Sequence, residues 1–257
     1  MFEDIKVSVI TPVYNDAKYV EQTIRSVLNQ THQNIELLII DDCSSDNTID
    51  LVNSLNDGRI RILNNSHNRG PAFCRNVGIK NATGDYIAFL DGDDIWLKEK
   101  IDNQLDFMIR NHYDFCCTKY GTIDEEGNEL KKYYYSPKII DHKRMIKCSY
   151  VGCLTVMYKR SVYPNLRIPD DILKRNDYAL WLRLSERTNC YFYNQTTAFY
   201  RIHTSNHVSS GRKMALIKHH TKMFISLYGY KKSKARFYAF RNAFNYFFKR
   251  LFYCKHR

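Results

Sequence analysis

Tyr86-Ile87-Ala88-Phe89-Leu90-Asp91-Gly92-Asp93-Asp94 is the stretch from which the fold can be read. Five residues of strand composition run into three carboxylates and a glycine, with Trp96 and Leu97 just beyond. Aromatic and β-branched residues favour strands, whereas Asp and Gly are depleted from them, so the acids belong at the strand's exit. In open α/β sheets, ligands bind at the carboxyl ends of strands. Three acids within four residues repel one another and call for a counter-cation. A hard divalent metal shared with a phosphate-bearing substrate meets that need. A solvated acidic turn, or acids at a helix N-terminus, is the other reading these residues allow on their own.

Working outward, Val7–Thr11 reads as a buried strand ended by Pro12. Residues 17–30 carry Val20, Ile24, Val27 and Leu28 at helical spacing. Residues 35–40 form a near-continuous apolar run, the mark of a strand buried on both faces of a parallel sheet, and end at Asp41-Asp42. Cys43-Ser44-Ser45-Asp46 offers N-cap candidates for a helix over 47–55. A third strand over 59–63, a turn-rich loop over 64–70 and a helix over 71–81 lead back to Gly84. Strands alternating with helices imply βαβ units, hence an α/β fold with a Rossmann-like, mostly parallel central sheet flanked by helices. Four strand exits, at Thr11, Asp41, Asn64 and Asp91, then line one edge, where a nucleotide should lie.

Past Trp96 the pattern loosens. A helix over 98–110, a strand over 113–120, a hairpin turn over 124–128, a short strand over 155–158, a helix over 176–187 and strands over 190–193 and 198–202 are expected. Residues 131–153 show no clear period. The division this suggests is a nucleotide-binding half over 1–97, a less regular half over 98–210, and a basic aromatic helical tail over 211–257.

The charge supports setting the tail apart. The chain has 257 residues and a formal net charge of +12. Residues 211–257 hold 13 of the 39 Lys and Arg and no acid, leaving 26 for residues 1–210 against all 27 Asp and Glu. Such asymmetry points to an anionic surface, either lipid headgroups or nucleic acid. Within 234–253, Phe237, Phe240, Phe244, Phe247, Phe248, Leu251 and Phe252 fall on one helical stripe, with Arg236, Asn242, Lys249 and Arg250 outside it. That amphipathic pattern favours an interfacial helix on an anionic membrane over residues 231–257, with no nucleic-acid partner expected. Packing on the body and a homodimer contact are the other readings. The start lacks a signal-peptide pattern, no apolar run is long enough to span a bilayer, and the eight Cys form no CxxC pair. The expected place is the cytoplasm, peripheral on a membrane surface.

The ordered set of motifs resembles the family 2 glycosyltransferases, enzymes with the GT-A fold. It comprises Val7-Ser8-Val9-Ile10-Thr11-Pro12-Val13-Tyr14-Asn15, Ser26-Val27-Leu28-Asn29-Gln30-Thr31, and Ile39-Ile40-Asp41-Asp42-Cys43-Ser44-Ser45-Asp46-Asn47-Thr48. It continues with Asn68-Arg69-Gly70, Ala72, Arg75-Asn76 and Gly78, and closes on Gly84 to Asp94. The resemblance implies that Asp42 meets the base and ribose of a UDP-sugar donor and that Thr11, Pro12 and Tyr14 lie against the uracil. It places Asn68 and Arg75 near the ribose and diphosphate. Asp91 and Asp93 match the DxD pair that binds Mn²⁺ or Mg²⁺, Asp94 reaches the donor sugar, and Gly92 allows close approach.

In the second half, Arg175-Asn176-Asp177-Tyr178-Ala179-Leu180-Trp181 resembles the family's Glu-Asp motif, with Asp177 as the single base of an inverting transfer and Asn176 standing where Glu is common. Tyr200-Arg201-Ile202-His203 resembles the Arg-x-His segment, with His203 as third metal ligand. The resemblance implies that residues 98–210 form an acceptor-binding half. It also implies that a hexose, from UDP-glucose first and UDP-galactose or an N-acetylated hexosamine next, passes to a lipid-linked saccharide in bacterial O-antigen, lipopolysaccharide or capsule synthesis, on the inner face of the bacterial inner membrane. Two other classes compete. A dinucleotide oxidoreductase lacks its GxGxxG after the first strand. A non-catalytic membrane- or nucleic-acid-binding module would leave Asp91, Asp93, Asp177 and His203 without purpose.

Overall fold

A computed structural model describes residues 2–203 and 213–256; Thr204–Ser209, which extend the Arg-x-His resemblance, lie outside the described residues. The order of elements is β1 (Val7–Val13), α1 (Val20–Leu28), β2 (Ile35–Asp41), α2 (Thr48–Ser54), β3 (Ile60–Asn64), α3 (Pro71–Asn81) and β4 (Tyr86–Phe89). Then come β5 (Ile95–Trp96), α4 (Lys100–Arg110), β6 (Phe115–Ile123), β7 (Glu129–Tyr134), β8 (Ile139–Ile140), α5 (His142–Lys147) and β9 (Met157–Lys159). The chain continues through α6 (Asn176–Ser185), β10 (Cys190–Arg201), α7 (Lys213–Tyr228), α8 (Lys232–Tyr253) and β11 (Cys254–His256).

One sheet runs β11-β7-β6-β9-β4-β1-β2-β3, with β10 pairing to β5, β6 and β8. The parallel ladder holds for β4, β1, β2 and β3; the first three are apolar and buried on both faces, while β3 is the half-exposed edge. Beyond it β9 runs antiparallel to both β4 and β6, and only the β6–β10 pair is parallel again. β1 does not stop at Pro12: it stays in register with β2 to Val13↔Asp41. Proline is tolerated there because β4 pairs with β1 only as far as Ile10↔Phe89, so the missing N–H falls where β1 has lost one neighbour. The two strands expected at 190–193 and 198–202 are one, β10, whose register against β6 slips between Tyr193 and Ala198.

The start of β4 is fixed by a buried carboxylate. Glu36 accepts hydrogen bonds from the Ser8 hydroxyl (2.5 Å), the Thr83 N–H (2.6 Å) and the Thr83 hydroxyl (2.9 Å), with Lys6 at 3.4 Å. A side chain at Gly84 would meet Ser8 N at 2.7 Å and Lys6 O at 2.8 Å, so only glycine lets β4 lie against β1 here. Burial alone would raise the Glu36 carboxyl, but the Ser8 and Thr83 donors and Lys6 outweigh it and hold the group at about 2. Its folded value lies below its unfolded one, so its contribution is full above pH 4.5 and vanishes as pH falls toward 2. Glu36→Gln is expected to lower unfolding free energy at pH 7 by roughly 2–3 kcal/mol, with the difference from wild type shrinking between pH 4.5 and 2. Urea titrations across that range check it, and a pH-independent difference would contradict it.

The carboxyl-terminal helices are integral to the body. Ala235, Ala239 and Asn242 of α8 are buried, the Asn242 amide donates to the Tyr178 hydroxyl of α6 (2.7 Å), and β11 adds antiparallel to β7. The opposite face of α8 carries Phe237, Phe240, Phe244 and Leu251 at 53–66% exposure. Phe248 is exposed as well, while the side chain of Phe247 lies outside the described residues. Lys249 turns inward: its Nζ donates to Ser149 O (2.7 Å), and burial lowers its pKa.

Candidate active site

Two packing decisions bring the functional residues together. β4 delivers Asp91 beside β1, and α6 lies under β4 because Trp181, fully buried, sets its ring edge-on to Phe89 with centroids 5.6 Å apart. The first turn of α6, with Asn176 and Asp177, is thereby held near the strand exit. Arg75 of α3 closes the gap: its guanidinium reaches Asp91 Oδ1 on one side and Asn176 Oδ1 (2.5 Å) on the other. Arg75 is 5% exposed, so it serves as a buried strut between the acids and the helix. Burial works against its charge, but Asp91 above all, with Asp177 nearby, keeps it protonated.

The resulting cleft has a volume of about 590 Å³, in the range of small-ligand sites. Pro12, Tyr14, Asp42, Asn68, Arg75, Asp91, Gly92, Asp93, Asp177 and His203 all line it. Two expected residues do not. Thr11 is fully buried within β1, its hydroxyl without a partner among the described residues. Asp94 is 1% exposed and accepts the Arg201 N–H (3.0 Å), so it anchors β10 rather than facing a donor sugar. A second cleft of about 450 Å³, between Tyr135, Phe192 and Phe252, holds no acid or histidine and offers no such chemistry.

Asp42 organises the loop after β3. Its carboxylate accepts the Arg69 N–H (2.9 Å), the Gly70 N–H (2.6 Å) and the Asn65 amide (2.8 Å), which brings Asn68 to the rim.

Asp16, which the sequence reading passed over, belongs to the acidic corner. A Cβ on Gly92 would lie 2.5 Å from Asp16 Oδ2 and 3.2 Å from Val13 Cγ1, so the glycine makes room for Asp16 and the end of β1. Burial raises the Asp16 carboxyl to about 7, opposed by the Tyr14 N–H and reinforced by Asp93 and Asp91. Burial likewise raises Asp93, against the pull of His203, and raises Asp94 further with help from Asp93 and Asp91. Asp16, Asp93 and Asp94 are thus gathered beside Asp91, where burial and neighbouring negative charge disfavour the ionisation of those three.

Of the three expected metal ligands, two meet. His203 Nε2 lies 2.7 Å from Asp93 Oδ2, its ring 5.3 Å from that of Tyr19. Asp91 is drawn off by Arg75, and among the described residues no three His, Cys, Asp or Glu side chains are gathered as a ligand set. Arg201 explains why His203 arrives here. Its Nε donates to Asp93 O (2.8 Å), and its terminal nitrogens donate to Asp124 O (3.0 Å) and Gln22 Oε1 (2.6 Å), fastening the end of β10 to the acidic loop. Ala215, Leu216 and His219 of α7 complete the far wall.

Comparison with known proteins agrees with this architecture. The family described as Glycosyl transferase family 2 matches residues 8–167. TuaG of Bacillus subtilis, a glycosyltransferase assigned by name to teichuronic acid biosynthesis, is 38% identical over 215 residues, covering 82% of this chain and 84% of its own. WfaP of Escherichia coli, a UDP-Glc:alpha-D-GlcNAc-diphosphoundecaprenol beta-1,3-glucosyltransferase, is 36% identical over 213 residues, covering 82% and 83%. Among solved structures, S. aureus TarS 1-349 in complex with UDP-GlcNAc superposes with a TM-score of 0.71 at 18% identity, over 90% of this chain and 69% of that one. A mannosyltransferase from Pyrobaculum calidifontis superposes with a TM-score of 0.64 at 16% identity, over 93% and 69%. The chain is a GT-A-fold enzyme and belongs to glycosyl transferase family 2.

Proposed function

We propose that this enzyme transfers a hexose, with inversion, from a UDP-sugar to a hydroxyl of a lipid-linked saccharide in bacterial surface polysaccharide synthesis. The observation that carries the reading is Asp177 facing the same cleft as Asp91, Asp93 and His203, with Asp42 and Asn68 at its other end. A lone carboxylate at a helix start opposite a phosphate-binding corner suits single displacement. Asp177 removes the proton of the acceptor hydroxyl as that oxygen attacks the anomeric carbon, and the nucleoside diphosphate departs toward the acidic corner. Arg75, held by Asn176 and Asp91, sets the spacing between base and corner. UDP-glucose is the first donor to try, since WfaP and a second E. coli relative, WfgD, are named for it. UDP-N-acetylglucosamine, bound by TarS, and UDP-galactose follow.

Asp93 and His203, with the free oxygen of Asp91, would hold Mn²⁺ or Mg²⁺. The crowded carboxylates, three of them raised by burial, are the feature that fits a cation. Bound there, the ion would offset the charge of the departing diphosphate. A panel of nucleotide sugars with Mn²⁺, reading UDP release, tests the donor class. Release from a GDP- or dTDP-sugar in place of every UDP-sugar would contradict it.

No helix among the described residues is long and apolar enough to cross a membrane. The outward rings of α8, beside the exposed Arg236 and a carboxyl-terminal region without acids, support a peripheral seat on an anionic bilayer. Because Ala235, Ala239 and Asn242 hold α8 to the body, the test replaces its outward rings and keeps the helix. Phe237→Ser with Phe240→Ser and Phe244→Ser is expected to lower binding to vesicles containing phosphatidylglycerol at least tenfold, at roughly 1.5–3 kcal/mol per buried ring. Unchanged vesicle binding, with a dimer that dissociates instead, would assign the stripe to a second copy of the chain.

A further inference from the structure

The acceptor side of the cleft is cationic, in contrast to its acidic floor. Lys174 and Arg175 line it directly before Asp177, and α7 brings His219 across from them with Lys218 alongside. Burial lowers the His219 imidazole, and Lys174, Lys218, Lys222 and Arg175 lower it further, in that order, which shows how these cations crowd one ring. Lys222 has a counter-ion in Asp171 at 3.8 Å. The side chains of Lys174, Arg175 and Lys218 have no hydrogen bond or ion pair among the described residues. Arg175 also holds a left-handed backbone (φ 58°, ψ 32°), uncommon for a residue with a side chain, at the step into α6. Like charges gathered at a cleft wall repel one another until an anion joins them.

The spacing from the base suggests which anion. Lys174 and Arg175 stand three and two residues before Asp177, a backbone span of at most about 7–10 Å, and line the same cleft with it, so an anion about one sugar ring from the attacked hydroxyl falls within their reach. In a lipid-linked saccharide, the group one ring away from the attacked hydroxyl is the diphosphate on the anomeric carbon. We propose that Lys174, Arg175 and Lys218, with the His219 ring beside them, form a subsite for the acceptor's diphosphate. It anchors the acceptor so that the hydroxyl falls at Asp177. The guanidinium can pair with two phosphate oxygens while the ammonium groups act as point charges. This rests on reading the acceptor as a lipid-linked saccharide.

The test uses two short-chain soluble acceptors bearing the same sugar, one joined to its alkyl chain through a diphosphate and one joined directly. Both are assayed without vesicles against the same UDP-sugar. Wild type is expected to show a KM at least about tenfold lower for the diphosphate acceptor, the gap narrowing as salt rises. Lys174→Gln with Lys218→Gln should close most of that gap, and Lys174→Arg with Lys218→Arg should restore it. A gap that survives in the glutamine variant overturns the subsite, as does a variant that weakens both acceptors equally. Absence of a gap in wild type, with vesicle binding lost in the glutamine variant, would assign these cations to lipid headgroups and overturn it too. Transfer to neither acceptor while UDP-sugar hydrolysis persists would instead overturn the acceptor reading on which the subsite rests.

Discussion

Asp177→Asn lowers the rate of transfer by about 10²–10⁴-fold while leaving donor affinity within a factor of about three. The substitution keeps the shape of the side chain and removes only its capacity to take a proton. Asp177 stands in the first turn of α6, partly exposed in the cleft, and the structural contacts of that turn are made by its neighbours. Asn176 binds Arg75 and the Leu173 carbonyl, and Tyr178 donates to Met145 O (2.5 Å). The helix therefore stays in place when Asp177 loses its charge, and the defect should fall on kcat with KM for the donor little changed. Steady-state rates with acceptor, alongside donor titration by calorimetry, separate the two. A variant retaining more than a third of the wild-type kcat would remove Asp177 from the base role.

Asp93→Ala is the second large effect expected, and it should act through the donor side. The substitution removes the partner of His203 and one of the two acids that flank Gly92. Divalent cations are then expected to stop stabilising the protein: wild type should gain Tm with Mn²⁺ and UDP present, and the variant should not. Metal-dependent hydrolysis of UDP-sugar should fall by at least about 10²-fold, since a Lewis acid contributes several kcal/mol to such a step. Thermal scans with and without Mn²⁺ read the first effect and UDP release reads the second. An equal Mn²⁺ response in both proteins would place the cation elsewhere.

How much of this was legible beforehand differs from residue to residue. The apolar run of β2 and the Asp-Gly-Asp exit of β4 carry their signals locally, so the parallel half of the sheet and the acidic corner could be read directly. Asp16 could have been found. The exits of β1 and β4 are parallel neighbours, so an acid just past Tyr14 must lie near Gly92. Asp94 could not be told from Asp93 by sequence. What buries it is the N–H of Arg201, a partner 107 residues away. The short strand expected over 155–158 is present as β9, but the same non-locality hid its place, antiparallel between β4 and β6, and the slip that joins β10 into one strand. In the tail, the Phe stripe was periodic and readable, but its polar flank was not uniform. Asn242 and Lys249 face inward because Tyr178 and the Ser149 carbonyl lie beneath them. The wall given by Ala215, Leu216 and His219 carries no local signal, because α7 meets the cleft only through contacts with residues far away in the chain.

The central claim is a single displacement in which Asp177 activates the acceptor on the face opposite the departing UDP. The anomeric configuration of the product tests it most directly. Incubating the protein with Mn²⁺, an α-linked UDP-hexose and a diphosphate-linked sugar acceptor, then reading the new linkage by proton NMR, is expected to give a β-glycoside. An α-linked product would contradict the account, because a single displacement from the face opposite the departing UDP inverts the anomeric carbon.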